Sequence, residues 1–193
     1  MHDMQEAAVR ASEFEAMADA EGWSDARREL GFRRAVFGKN FPNDFLLDHG
    51  IEYPFDASSF EGERGEQKQC YMNATWAALN NPDLTYVEGK VWVYGIGIDH
   101  AWCIDPSGKV IDPTLVIEND DLSRIGAYLG VPFREAYLRK ATIWNKVYGL
   151  LDYWSAPKTA PKLYELGLEA GQDWLLAQSA KPPRKPRKKK AAG

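Results

Sequence analysis

The sequence predicts an α+β fold: a helix bearing a cysteine packs on a small antiparallel sheet, with further helices flanking it. Three observations lead there. "QKQCYMNATWAALNNPD" has the apolar spacing of a helix, and "LTYVEGKVWVYGIGI" has the two-residue alternation of a strand. "HAWCIDPSGKVIDPT" divides into two short strands around a turn. These segments follow one another without a break, so the helix and the strands form one unit.

From the N-terminus, "EAAVRASEFEAMADA" reads as a helix with Ala7, Ala11, Phe14 and Met17 on one stripe. Ser24 is placed to cap a second helix, "DARRELGFRRAVFG". The stretch from Lys39 to Gln67 carries Pro42, Gly50, Pro54, Gly62 and Gly65 and reads as a long loop that wraps the core or gates a site. The cysteine helix stops near Pro82, with Cys70 in or just before its first turn. Asn73, Ala74, Ala77 and Ala78 share the Cys70 side, and small residues there permit a close approach to a sheet. In the following strand, Val87, Val91 and Val93 point one way, and Tyr86, Glu88, Lys90 and Trp92 the other. "NDDLSRIGAYLG" reads as a helix ending at Gly130. "REAYLRKA", "IWNKVYGLLDYW" and "APKLYELGLEAGQDWLLAQSA" read as further helices.

Composition sets bounds on this fold. The chain has 193 residues, which suits one domain with a sizeable core, placed at 1–180. No apolar run is long enough for a membrane span, and the acidic, amphipathic start is not a secretory signal. A cytoplasmic protein without membrane contact is expected. Its two cysteines, Cys70 and Cys103, are then expected to be thiols. The last segment, 181–193, carries Lys181, Arg184, Lys185, Arg187, Lys188, Lys189 and Lys190 and no acid. It leaves 17 basic against 28 acidic residues in 1–180, about −11. Such a tail is expected to be disordered, with phosphate-backbone contact to nucleic acid as one use, though it lacks interleaved aromatics for base stacking.

The hairpin carries the chemistry. In "DPSG", Asp105, Pro106 and Gly108 fit a type I turn with a glycine bulge, a three-residue loop. Ile104 then faces Val110, Trp102 faces Asp112, and His100 and Asp112 share a sheet face as diagonal neighbours. A two-residue loop would move Asp112 to the other face. The same register sends Cys103 and Asp105 away from His100, which disfavours a zinc site built on His100 and Cys103. No metal and no cofactor is called for.

A thiol becomes a nucleophile at a helix N-terminus or beside an imidazolium. Cys70 meets the first condition, and it meets the second if its helix packs across the His100 face. Asp112 would then fix the tautomer of the ring. Gln67 or Gln69 could supply an oxyanion donor beside the Cys70 N–H, and the residues do not choose between them. Asn73 either bonds the turn or holds substrate. Trp102 is a core residue or roofs the thiol. Glu88 lies on the polar face of its strand, solvated or at the margin of the site.

The order Cys70 on a helix, His100 on a strand and Asp112 on the next resembles the transglutaminase-like branch of the papain-like cysteine enzymes. The closest echo is His100-Ala101-Trp102, a turn, and Asp112-Pro113-Thr114. The resemblance covers roughly residues 66–115, and "QCYMNA" lacks the Gly-x-Cys usual in that branch. "CYMNA", "TYVEG", "HAWCID", "VIDPT" and "YLGVPF" are also similar to stretches of small phage and bacterial proteins. The resemblance implies Cys70 as nucleophile, His100 as base and acid, and Asp112 as orienter. It implies a thiol hydrolase or acyltransferase (peptidase, amidase or deamidase) acting on a protein or amide-containing substrate. The alternative is an inert binding or inhibitor protein on the same fold, using its loops and basic tail to hold a macromolecule.

Overall fold

A computed structural model describes residues 2–38, 41–55, 64–115 and 124–151, with residues 156, 158 and 160. The basic tail and the helix expected within 156–180 lie outside the described residues, those three positions apart. The described chain is α+β. In order it forms α1 (His2–Glu21), α2 (Asp25–Phe37), α3 (Asn43–His49), β1 (Ile51–Tyr53), α4 (Cys70–Asn80), β2 (Thr85–Val93), β3 (Ile96–Ile104), β4 (Val110–Ile111), β5 (Ile125–Phe133) and α5 (Glu135–Asn145). The strands make one antiparallel sheet in the order β1-β5-β2-β3-β4. No described helix is long and apolar enough to cross a membrane.

The helices that position the site begin where their sequence signals lie. Ser24 Oγ accepts from the Arg27 N–H at 3.3 Å and caps α2, an interaction worth about 1 kcal/mol. α4 starts at Cys70 and ends at Asn80, just before Pro82. On α1 the buried stripe is Phe14 and Ala18, while Met17 is exposed.

Four expectations are corrected. The long loop contains α3 and β1, because Phe45, Leu46 and Leu47 are buried in the core while Pro42 and Gly50 mark the ends of the helix. The single strand expected over 84–98 is a hairpin. Its chain reverses at Tyr94 and Gly95, with φ of 54° and 74°, the left-handed pair of a two-residue hairpin turn. The helix expected over 119–130 is a strand from Ile125 onward, whereas 116–123 lie outside the described residues. Gly130 is no helix cap: a Cβ there would meet the Trp102 ring at 2.5 Å, so glycine makes room for the indole. "REAYLRKA" and "IWN" join into one helix, α5, which stops at Lys146 in the left-handed region (φ 60°).

The sheet has two faces, each with its own apolar cluster. Tyr86, Ala101, Cys103, Leu129, Val131 and Phe133 pack with Ala74 and Ala78 of α4 and with buried residues of α2, α3 and α5. Val87, Val91, Trp102, Ile104 and Tyr128 form the opposite cluster with Tyr53 and Val110. The helix bearing Cys70 therefore packs on the Cys103 face and not, as expected, across the His100 face. Its small residues fit there, and the Cys103 thiol donates to the Ala74 carbonyl at 3.3 Å.

Candidate active site

The site starts from the turn at Asp105. Gly108 takes φ 88°, its N–H donates to the Asp105 carbonyl at 2.9 Å, and Asp105 N–H donates to the Lys109 carbonyl at 3.0 Å. The loop is thus three residues long. Ile104 pairs with Val110 and Cys103 with Ile111, the register that the turn chemistry predicts.

One residue further on, β4 ends. Pro113 has no N–H to continue a ladder. Its carbonyl accepts instead from Gly65 N–H at 2.7 Å. Asp112 turns inward here, 3% exposed, with all its accepting positions in use. Oδ1 accepts from the Thr114 and Leu115 N–H groups, both at 2.9 Å. Oδ2 lies 2.7 Å from His100 Nε2 and accepts from the Tyr128 hydroxyl at 3.0 Å. Burial pushes the Asp112 carboxyl upward, but His100 and the two N–H groups outweigh it and hold it below its ordinary value.

His100 is 4% exposed. Its ring lies nearly parallel to that of Trp102 (17°, centroids 6.2 Å apart) and is tilted against Tyr128. Burial pushes its pKa down. The Asp112 carboxylate raises it by charge and hydrogen bond, Cys70 raises it further by a hydrogen bond and charge, and the outcome is about 9. Two things follow. At neutral pH the ring is an imidazolium. And, with Nε2 on Asp112, Nδ1 is the nitrogen left to interact with the Cys70 sulfur.

Cys70 is the first residue of α4 and is partly exposed. The segment before it is fastened to the segment after Asp112. Besides the Gly65–Pro113 bond, Asn73 Nδ2 donates to the Glu66 carbonyl at 2.7 Å and to Thr114 Oγ1 at 2.8 Å. This cross-tie holds the start of the helix beside His100.

The remaining candidates sort by contact. Gln67 and Gln69 are exposed in the turn that leads into Cys70. Asn73 spends both amide protons on the cross-tie, so it bonds the turn. Trp102 is wholly buried on the His100 face, a core residue stacked on the ring. Glu88 is neither solvated nor on the His100 face. It is 2% exposed among the helices and accepts from the Tyr86 hydroxyl (2.6 Å) and the Leu150 and Leu151 N–H groups (2.7 and 2.8 Å). The face that looked polar in sequence is the one the helices cover. Cys103 is buried, and that burial pushes its thiol up to about 12.

Sequence reasoning missed Tyr128, whose hydroxyl shares Asp112 Oδ2 with His100. The signal was the alternation in "IGAYLGVPF", hidden when that stretch is read as a helix. Among the described residues, no group of three His, Cys, Asp or Glu side chains is arranged to hold a metal ion. A cleft of about 710 Å³ lies between the start of α2 and the strands, lined by Glu29, Glu52 and Trp92 among others, and none of Cys70, His100 and Asp112 lines it. No protein-family model, curated protein or solved structure matches the chain.

Proposed function

We propose that the protein is a cysteine-dependent acyl-transfer enzyme, of the transglutaminase-like and papain-like kind, that cleaves an amide, isopeptide or thioester bond through a Cys70 acyl-enzyme. One observation carries this reading: a buried histidine has one ring nitrogen 2.7 Å from a buried aspartate, and a partly exposed thiol at a helix start lies close enough to act on the ring. A histidine serving only the core has no need of a fully bonded carboxylate on one nitrogen and a thiol on the other.

The chemistry follows from those contacts. In the reactive form the thiol proton already rests on His100 Nδ1, as an imidazolium–thiolate pair, and the thiolate sulfur attacks the carbonyl carbon. The carbonyl oxygen gains the negative charge. The Cys70 N–H, without an intrahelical acceptor in the first turn, is placed to receive that charge, with Gln67 or Gln69 as the second donor. The tetrahedral adduct collapses as His100 protonates the leaving amine or thiol, which leaves a thioester on Cys70. Water then gives its proton to His100 and attacks the thioester, releasing the acid and restoring the thiol. Hydrolysis is favoured over cross-linking because water is always present as acceptor. Asp112 stays ionised and keeps the ring oriented.

Iodoacetamide at pH 7 tests the reading. Cys70 is expected to alkylate at least about tenfold faster than Cys103, a factor worth about 1.4 kcal/mol, and His100→Ala to remove most of that difference. Equal, slow labelling of both thiols would sink it.

A further inference from the structure

We propose that the outer edge of β3, from Ile96 to Asp99, docks an extended polypeptide segment as an added strand and so delivers the reacting carbonyl to Cys70. The proposal rests on the enzyme reading above and names its substrate class.

β3 is nine residues long, yet β4 pairs only with Cys103 and Ile104. Pro113 stops β4, and Asp112 turns its side chain to His100 instead of extending the ladder. The residues of β3 before Cys103 have no strand on their outer side among the described residues, and four of these, Ile96–Asp99, about 13 Å of strand, are accessible. Edges of this kind pair with other chains unless a proline, a bulge or a charge blunts them. No proline or bulge interrupts this one. Asp99 carries a charge, but Lys90 takes it up at 2.6 Å.

The direction of the backbone groups is fixed by the hairpin. Asp105 N–H donates toward β4. In an antiparallel ladder every second residue faces the same neighbour. Cys103 thus faces β4, and the N–H and C=O groups of Ala101, Asp99 and Gly97 point the same way; Ala101 is buried, which leaves those of Asp99 and Gly97 open along the edge. Those of Trp102, His100 and Ile98 point inward to β2. The outward row ends one residue from His100. A strand bonded along it brings a backbone carbonyl to the thiol without a turn. On the His100 face, Ile96 and Ile98 stand 66% and 40% exposed. The side chains of the added strand on that face lie beside them, so apolar residues are favoured there.

The test compares warheads on the full chain. Acetyl-Leu-Ala-Leu-Ala chloromethyl ketone and chloroacetone both alkylate a thiol: the C–S bond forms, the C–Cl bond breaks, chloride leaves and the thiol proton passes to buffer. Each rate is divided by the same reagent's rate with glutathione. The peptide reagent is expected to label Cys70 at least about tenfold faster (about 1.4 kcal/mol). Two analogues, N-methylated on alternate amides, separate backbone pairing from loose apolar contact. One should fall to the chloroacetone rate and the other should keep its advantage. In the labelled protein, the Gly97 and Asp99 amides should exchange with deuterium more slowly. The proposal is overturned if the peptide reagent has no advantage, if both analogues keep it, or if no amide of the edge is protected. If chloroacetone itself does not prefer Cys70 to Cys103, the enzyme reading falls, and the docking edge with it.

Discussion

Asp112→Asn isolates the charge that organises the site. The variant keeps Oδ1 for the Thr114 and Leu115 N–H groups. It exchanges Oδ2, which now serves both His100 Nε2 and the Tyr128 hydroxyl, for an NH₂ group that cannot accept. His100 titrates at about 9 against an ordinary 6.5, a difference worth about 3 kcal/mol. Burial pulls that value down and only Asp112 and Cys70 hold it up. With the charge gone, His100 should titrate at or below 6.5. The stability consequence has a definite sign. A raised histidine pKa contributes stability that is full below the unfolded value near 6.5 and is lost as pH rises through about 9. Asp112 is shifted down, so its contribution is present above the ordinary carboxylate value and lost as pH falls through its folded one. Denaturation should therefore show wild type ahead by about 3 kcal/mol near pH 6, with the gap closing toward pH 9 and again in strong acid. Ring-nitrogen NMR reads the titration directly, since only His2 and His49 compete and burial lowers His49. A wild-type His100 titrating near 6.5, or an Asp112→Asn protein still titrating near 9, would refute the charge account.

Three other substitutions probe the supports. Tyr128→Phe removes one of two donors from Asp112 Oδ2; His100 should then titrate higher than in wild type, at a stability cost of about 1 kcal/mol, and an unchanged NMR titration would count against a shared oxygen. Gly108→Ala forces a side chain into φ 88°; a loss of about 1–2 kcal/mol in urea melts, with slower Cys70 alkylation, is expected, and a variant as stable and as reactive as wild type would mean that the bulge does not set the register. Glu88→Ala strands the Leu150 and Leu151 N–H groups in the core; at about 1–3 kcal/mol for each the midpoint of unfolding should drop sharply, and a loss under about 1 kcal/mol would show that water reaches them.

How much of this was legible in the sequence depends on the range of the forces involved. The "DPSG" turn is local: proline and glycine limit the backbone within four residues, so the register of His100, Cys103 and Asp112 could be counted from letters. The Ser24 cap and the start of α4 at Cys70 are local in the same way. The face on which α4 packs was not legible. Both faces of β3 offer apolar side chains, and only the fit of Ala74 and Ala78 against Ala101 and Cys103 decides between them. Glu88 was misread for the same reason, since its partners Leu150 and Leu151 are more than sixty residues away. The turn at Tyr94 was hidden because Trp92, Tyr94, Ile96 and Ile98 keep a two-residue spacing across it, although the face that carries Val91 and Val93 passes to Ile96 and Ile98. Tyr128 went unseen because glycines that mark helix ends also mark the close passage of an indole over a strand.

The packing of α4 raises a geometric question, and its answer shows how the parts depend on one another. The helix body lies on the Cys103 face while the His100 ring lies on the other, yet Cys70 at the helix start acts on the ring. β2 pairs with β3 along its full length, so the meeting cannot happen on that side. It lies toward the outer margin of β3, where Pro113 ends β4 early. The His100 face is meanwhile occupied: Trp102 stacks on the ring, Tyr128 tilts against it and Asp112 holds Nε2. A ring held on three sides, with Nε2 on Asp112, has Nδ1 left for Cys70. On the proposed enzyme reading, the order that fixes the ring would cost nothing at the moment of reaction, which is the condition for preorganised catalysis. Extending β4 by one paired residue would close the margin and pull Asp112 away from the ring. The short strand is therefore a requirement of the site, and "DPT" is where the sequence meets it.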